Sequence, residues 1–447
     1  MSSPVQPRST PTLAIRRRAG GVCRGIAGHV SALTAALWLA APGSAHATEG
    51  LPGLPTNPVG PDSATTGHEA ERESWRHRRY LLGDWGGARR WLGEQGITAR
   101  IIYTVDLIGN PAGGDPQYKP FSAFGNLGVA LQVDSEKAGG WRGGKLTFHV
   151  RNLAGDGNRI NKRLFSPFDP VSDLSVSRTT QVSDLFFSQE LWGDEWVIKI
   201  GKQDASADFS ASNVSGAFLN AGISPAANVP LPAFPDPSLG LVLLGKVTPH
   251  IGFATGVFGS EFDGNAMTDS GLFRGHVFGI AQVRLATQLA AMPGATTFGA
   301  WHRNAPPPTN YAGPKEDGAY GLYLLIDQTL FRERPGSGYP EGLSAFFQIS
   351  WTPPDRSNFD LWVGGGLVYQ GIIPGRPRDR FGIAAVRAGP SPTYARQGFS
   401  REVVVECFYE WRVTRWLRFR PDVQYFSRPA GTPNDALAVG LRTMIDF

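Results

Sequence analysis

Residues 435–447 read DALAVGLRTMIDF, and this stretch decides the fold. Leu437, Val439, Leu441, Thr443, Ile445 and Phe447 recur at every second position, while Ala438, Gly440, Arg442, Met444 and Asp446 take the alternate ones. A period of two is that of a strand with one apolar and one polar side. A final strand at an open sheet edge offers unpaired N–H and C=O groups. In a closed barrel it pairs with the first strand and no edge is left. An ordinary last strand of a soluble β-domain is the default reading, and the rest of the chain has to displace it.

Composition begins that work. At 447 residues the chain has room for two or three ordinary domains or one large barrel. Its 56 Gly, 35 Pro and 11% aromatics suit many strands and turns. The net charge of +5 arises before residue 48, from Arg8, Arg16, Arg17, Arg18 and Arg24, where no acidic residue occurs. The remainder is balanced, so the chain lacks the electrostatic footprint of a nucleic-acid partner. The basic segment ends at Arg24, an apolar run covers 26–41, and Ala45-His46-Ala47 has the small-x-small form of a cleavage site. Together these predict a secretory signal peptide over 1–47. The alternative, a membrane anchor, needs a longer run without the interruption at His29. Arg16-Arg17-Arg18 is a weak match to a twin-arginine signal. The exported part keeps only Cys407, which excludes an intramolecular disulfide there.

Residues 48–79 are Pro- and Gly-rich and then charged, a flexible lead. Asp84 is placed to start a short helix through residues 91–95, and Gly96 to stop it. The run Leu81-Leu82-Gly83-Asp84-Trp85-Gly86-Gly87-Ala88-Arg89 resembles the opening of the carbohydrate-selective porin (OprB-type) family of Gram-negative outer membranes. So do Ile200-Gly201-Lys202-Gln203-Asp204 with Phe218-Leu219-Asn220, and the tail from Glu406 through Trp416 to Tyr425. The likeness covers residues from about 80 to the end. It implies an outer-membrane channel for mono- and small oligosaccharides, in contact with lipid and lipopolysaccharide. It also implies delivery by the barrel-assembly machinery through the strand ending in Phe447.

Independently, alternation and turn residues predict strands at 97–108, 123–134, 144–154, 181–191, 195–203, 239–247, 250–258 and 274–287. The second half continues at 295–303, 318–328, 343–352, 359–371, 380–389, 400–412, 416–426 and 435–447. The expected fold is therefore all-β, a sixteen-stranded antiparallel transmembrane β-barrel over 80–447 preceded by a short N-terminal helix. Turns at Gly193-Asp194-Glu195, Thr248-Pro249, Pro293-Gly294 and Val413-Thr414-Arg415 fall between longer loops, except over 329–399, where lengths stop alternating. Trp192, Trp196, Trp411 and Trp416 flank tight turns, as an interfacial aromatic girdle does.

The polar face is equally regular. Glu402, Glu406, Glu410 and Arg412 share one side of a strand; Arg418, Arg420, Asp422 and Gln424 share one side of the next. Charges left dry would be costly, so this face is expected to meet water. Lys145, His149 and Arg151, with Asp106, Gln282 and Arg284, are expected to line the same lumen. The residues predicted to line the pore and touch sugar are Arg100, Arg151, Lys199, Lys202, Asp204, Glu406, Glu410, Arg412, Arg418, Arg420, Asp422 and Arg442. Guanidinium donates to sugar hydroxyls and carboxylate accepts from them. For any one of these residues, a solvated wall charge is the competing reading. The resemblance also implies a long loop that folds inward and narrows the pore, as in many sixteen-stranded porins; parity leaves 155–180 and 204–238 as the two candidates for it. The sequence carries no catalytic signature, no metal-ligand spacing and no cofactor motif, so a non-enzymatic protein is expected. The rival from another class is a secreted, soluble all-β carbohydrate-binding protein or glycan-active enzyme, with its aromatic faces packed between two sheets.

Overall fold

The computed structural model describes residues 75–447 apart from 166–169, 224–227, 262, 263, 265, 266, 268–270, 305–317, 334–339, 430, 431 and 433. The signal-peptide reading of 1–47 and most of the 48–79 lead lie outside these residues. Sixteen strands close into one antiparallel barrel, each paired with its neighbours in sequence. They are β1 Ile97–Ala112, β2 Phe121–Asp134, β3 Gly144–Gly155, β4 Thr179–Leu191, β5 Trp196–Gln203, β6 Ser238–Thr248, β7 Ile251–Gly259 and β8 Val277–Leu289. Then follow β9 Met292–Arg303, β10 Ala319–Arg332, β11 Gly342–Trp351, β12 Phe359–Gln370, β13 Arg380–Pro390, β14 Glu402–Arg412, β15 Leu417–Ser427 and β16 Ala436–Asp446. No helix among the described residues is long and apolar enough to cross a membrane.

The terminal strand closes the ring as its alternation requires. β1 pairs with β16, Tyr103 opposite Ile445 and Asp106 opposite Arg442. Val439 is exposed on the outside, while Ala438, Arg442 and Met444 are buried within. The same contrast runs round the barrel: Leu107, Ile200, Leu241, Phe298, Leu322 and Ile383 all lie exposed on the outer face. Because the sheet is single and closed, no second sheet covers those side chains, and the soluble rival loses the inter-sheet core it needs.

Connections at one end are short, such as 249–250 and 413–416; those at the other include 156–178, 204–237 and 260–276. Two expectations need correction. The turn assigned to Pro293-Gly294 lies at Ala290-Ala291, with φ of 49° and 63°, and Pro293 and Gly294 belong to β9. Leu289 pairs with Met292, so this is a two-residue hairpin whose paired positive φ angles match the strand twist. Residues 272–274 form a 3₁₀ turn between Gly271 and Gly275, both at positive φ, and β8 starts only at Val277. Between 329 and 399 the strand count holds. Length alternation fails there because the loop at 352–358 is no longer than the opposite turns at 333–341 and 371–379.

Ahead of β1, a 3₁₀ turn at Trp85–Gly87 leads into α1, Ala88–Glu94. Gly87, at φ 96°, is the residue that caps α1. Asp84 instead reaches past the first turn, its Oδ1 accepting from Arg90 N at 3.1 Å. Gly96, at φ 77°, ends the helix where a Cβ would sit 2.8 Å from the carbonyl of Asp134. The segment docks on the seam between first and last strands. Leu81 N donates to the Asp446 carbonyl at 2.8 Å. Arg89 donates to Ala99 O and to Phe447 O, both at 2.8 Å, its guanidinium lying 3.9 Å from the Tyr80 ring centroid and 4.2 Å from that of Trp85. Trp416 is also covered here: its indole N–H donates to Trp75 O at 2.9 Å, so it is buried rather than part of an outer girdle. Trp192 and Trp411 remain exposed.

Candidate functional site

Strand register brings the inward positions of β13, β14, β15, β16 and β1 side by side. Arg380 stands opposite Glu410, Glu406 opposite Gln424, Arg420 opposite Arg442 and Arg442 opposite Asp106. Most of these side chains do not face an open water column. Two long loops fold into the barrel and cover them.

The first is 156–178, which carries α2, Arg159–Leu164. Arg442 makes a bidentate pair with Asp106, both contacts at 2.7 Å, and also bonds Asp173 of this loop. Ser172 Oγ donates to Asp106 Oδ2 at 2.6 Å, and Gln424 Nε2 donates to Val171 O at 2.8 Å. Burial raises the Asp173 carboxyl above its ordinary range, opposed by the Arg442 charge.

The second is 204–237. Asp204 fastens both of its ends: Oδ1 accepts from Ser206 N at 3.0 Å and Oδ2 from Phe234 N at 3.0 Å. Burial pushes this carboxyl up to about 6. The middle of the loop crosses to the far wall, where Glu406 accepts from Leu219 N at 2.6 Å and from Asn220 N at 2.8 Å. Asp327 of β10 accepts from Ser212 Oγ at 2.5 Å and Asn213 N at 3.2 Å. Gln348 and Trp362 donate to Ile223 O and Gly222 O. Arg420 donates to Ala217 O while also bonding Glu410.

Between these anchors the loops are apolar. Phe218 packs against Phe346 and Phe408 with ring centroids 5.8 and 5.1 Å away, and Phe209 meets Phe258 at 6.2 Å. With Ile160, Leu164, Leu174 and Ile223 they form a buried core inside the barrel at its loop end. The expectation of a lumen lined only by solvated charge is therefore corrected. Strands alone leave a wet interior at this barrel size; here the loops supply hydrophobic surface and backbone partners at its loop end. Both candidate loops, 155–180 and 204–238, fold inward.

At the turn end the lumen stays charged. Glu410 accepts from Arg380, at 3.0 Å from Nε and 2.9 Å from Nη2, from Arg412 at 3.0 Å and from Arg420. Arg100 and Arg418 pair with Asp446 at 3.0 and 3.2 Å. Arg151, Lys199 and Lys202 lie apart from this ring. Arg151 stacks 4.4 Å from the Phe234 ring centroid, and beside it His149 contacts Asp184 at 3.1 Å. Lys199 pairs with Asp208 at 2.7 Å, and Lys202 donates to Gly264 O at 2.6 Å. Asp422 accepts from Gln424 at 2.8 Å. Sequence reasoning missed Arg380, Asp446, Asp173 and Asp327. Alternation carries the signal for Arg380 and Asp446, since both occupy inward positions at strand ends; a loop acid such as Asp173 carries none.

Comparison with known proteins agrees with this architecture. The profile of the carbohydrate-selective porin, OprB family, matches residues 120–447. Porin B of Pseudomonas aeruginosa is 22% identical over 432 residues, covering 85% of this chain and 94% of that protein. A putative porin, QuiX, of Acinetobacter baylyi is 21% identical and covers 83% and 93%. The high-pH structure of Pseudomonas putida OprB superposes with a TM-score of 0.75 at 20% identity, covering 84% of this chain and all of that one. The match to the family profile spans most of the barrel, and the chain belongs to the OprB family of carbohydrate-selective porins, channel proteins of the outer membrane.

Proposed function

We propose that the barrel lets small sugars diffuse passively into the periplasm, with weak binding where arginine and carboxylate meet on the lumen wall. The observation that supports this reading is the array at Glu410, where Arg380, Arg412 and Arg420 surround one carboxylate. Rigid guanidinium forks donate to neighbouring sugar hydroxyls, and the buried carboxylate they surround holds them in place. Binding has to stay weak, because a conducting site must release what it admits. In the same reading residues 1–47 are a signal peptide removed after about Ala47, 48–79 are a lead, and 80–447 are the barrel. The outer face then meets lipid and lipopolysaccharide, and the strand ending in Phe447 engages the assembly machinery.

The test is a liposome-swelling series across mono- and disaccharides. Swelling that falls from monosaccharide to disaccharide, and changes in Arg418→Ala and Arg420→Ala, supports the reading. Absence of swelling with every sugar overturns it, and unchanged rates in both variants remove those two residues from the site.

A further inference from the structure

The turn-end ring holds its charges unequally. Five guanidinia, those of Arg100, Arg380, Arg412, Arg418 and Arg420, share two carboxylates, Glu410 and Asp446. The two signs also differ in what they present. Arg100, Arg380 and Arg412 keep 25%, 19% and 20% of their side-chain surface exposed, against 0% for Glu410 and 8% for Asp446. The carboxylates are sunk beneath the guanidinia they hold, so the surface offered to the lumen is cationic. Elsewhere at this end Asp134 is turned to the backbone N–H groups of Glu136 and Lys137, and Arg284 lies within electrostatic reach of Asp327. Lys145 and Glu190 neutralise each other at 2.5 Å. Lys246 and Arg284 occupy inward positions on β6 and β8. Asp327 is buried, its oxygens turned to Ser212 and Asn213.

We infer that this ring selects sugar acids, aldonates and uronates, over neutral sugars, so that the channel's favoured substrates are polyhydroxylated carboxylates. The inference rests on the reading of the barrel as a sugar channel. A substrate carboxylate takes a guanidinium fork on Arg412 in the bidentate manner that Arg380 already shows with Glu410. The substrate's hydroxyls then reach the neighbouring guanidinia, so recognition needs both the charge and the polyol. Buried partners fix the guanidinia in advance, which lowers the ordering cost of each encounter.

Planar-bilayer block of the purified barrel tests this with glucose, glucuronate and acetate as probes. At 0.1 M KCl, glucuronate is expected to block about tenfold more tightly than glucose, the worth of one charge-assisted contact. Acetate should block less well than glucuronate. In 1 M KCl, where the screening length drops to about 3 Å, the advantage should shrink. The glucuronate-to-glucose ratio should fall toward one in Arg380→Gln/Arg412→Gln, and part of the way in Arg412→Gln alone, with both variants showing heat-modifiable migration. Equal block by glucuronate and glucose, acetate matching glucuronate, or a ratio unmoved in both variants overturns the inference while leaving a sugar channel in place. If neither glucose nor glucuronate alters the current and neither swells liposomes, the channel reading fails and this inference with it.

Discussion

The two halves of the lumen are made from the same strands with the same alternation, yet the loop end is a packed core and the turn end a ring of charge. What separates them is which connections are long. Only the loop end has segments able to fold back inside, and those segments bring Phe209, Phe218 and Ile223 to cover inward wall residues such as Phe258, Phe346 and Phe408. Carboxylates change role between the halves. Glu406 and Asp327 accept from loop backbone and hydroxyl groups, so they act as anchors. Glu410 accepts only from guanidinia among the described bonds, so it organises donors.

That difference should break under mutation in a graded way. Glu406→Ala orphans the buried N–H groups of Leu219 and Asn220, at about 1–3 kcal/mol each. The expected result is a loop 204–237 open to protease and a raised single-channel conductance; an intact, protease-resistant loop contradicts the anchor role. Phe218→Ala leaves a cavity between Phe346 and Phe408 and should cost about 3–5 kcal/mol. Urea-induced unfolding in detergent measures it, and the turn-end ring should keep its sugar block.

Asp204 gives the third prediction. Its folded carboxyl titrates at about 6 against 3.8 ordinarily, so the proton is held more tightly when the loop is docked. Its contribution is full below about pH 4 and is lost as pH rises through 6, on the order of 3 kcal/mol in all. Hydrogen exchange of residues 205–234 should show loop opening favoured between pH 4.5 and 7 relative to Asp204→Asn, in which this slope disappears. Equal pH slopes in the two proteins would remove the carboxyl as the cause. The smallest effect is expected at the turn end: Arg412→Ala removes one of three guanidinia from Glu410 and should lower stability by about 1.5 kcal/mol, the low end for a hydrogen bond to a charged group, while changing sugar flux. A large loss of stability without a flux change would erase the distinction between the halves.

The barrel was legible because period-two alternation is local. Leu437 to Ile445 and Val403 to Trp411 declare their faces without reference to anything distant, and so do the inward charges Arg442, Arg418 and Glu406. What those charges touch was not legible. Glu406 meets Leu219 and Asn220, and Arg442 meets Asp173, through loops whose path depends on packing across the whole barrel. Buried charges do need polar partners, but water is not the partner that most of them find. Loop backbone meets the same need at Glu406. Ala290-Ala291 escaped notice for a related reason, since alanine at positive φ leaves no compositional mark, whereas the adjacent Pro293-Gly294 does.

The clasp of Arg89 on the last residue has a consequence for biogenesis. Its acceptor, the carbonyl of Phe447, reaches its place only when β16 has zipped against β1. The segment ahead of the first strand therefore fastens last, although it leaves the ribosome long before the final strand does. Cleaving the chain shortly before Ile97 should leave a closed cylinder whose seam frays sooner in mild detergent.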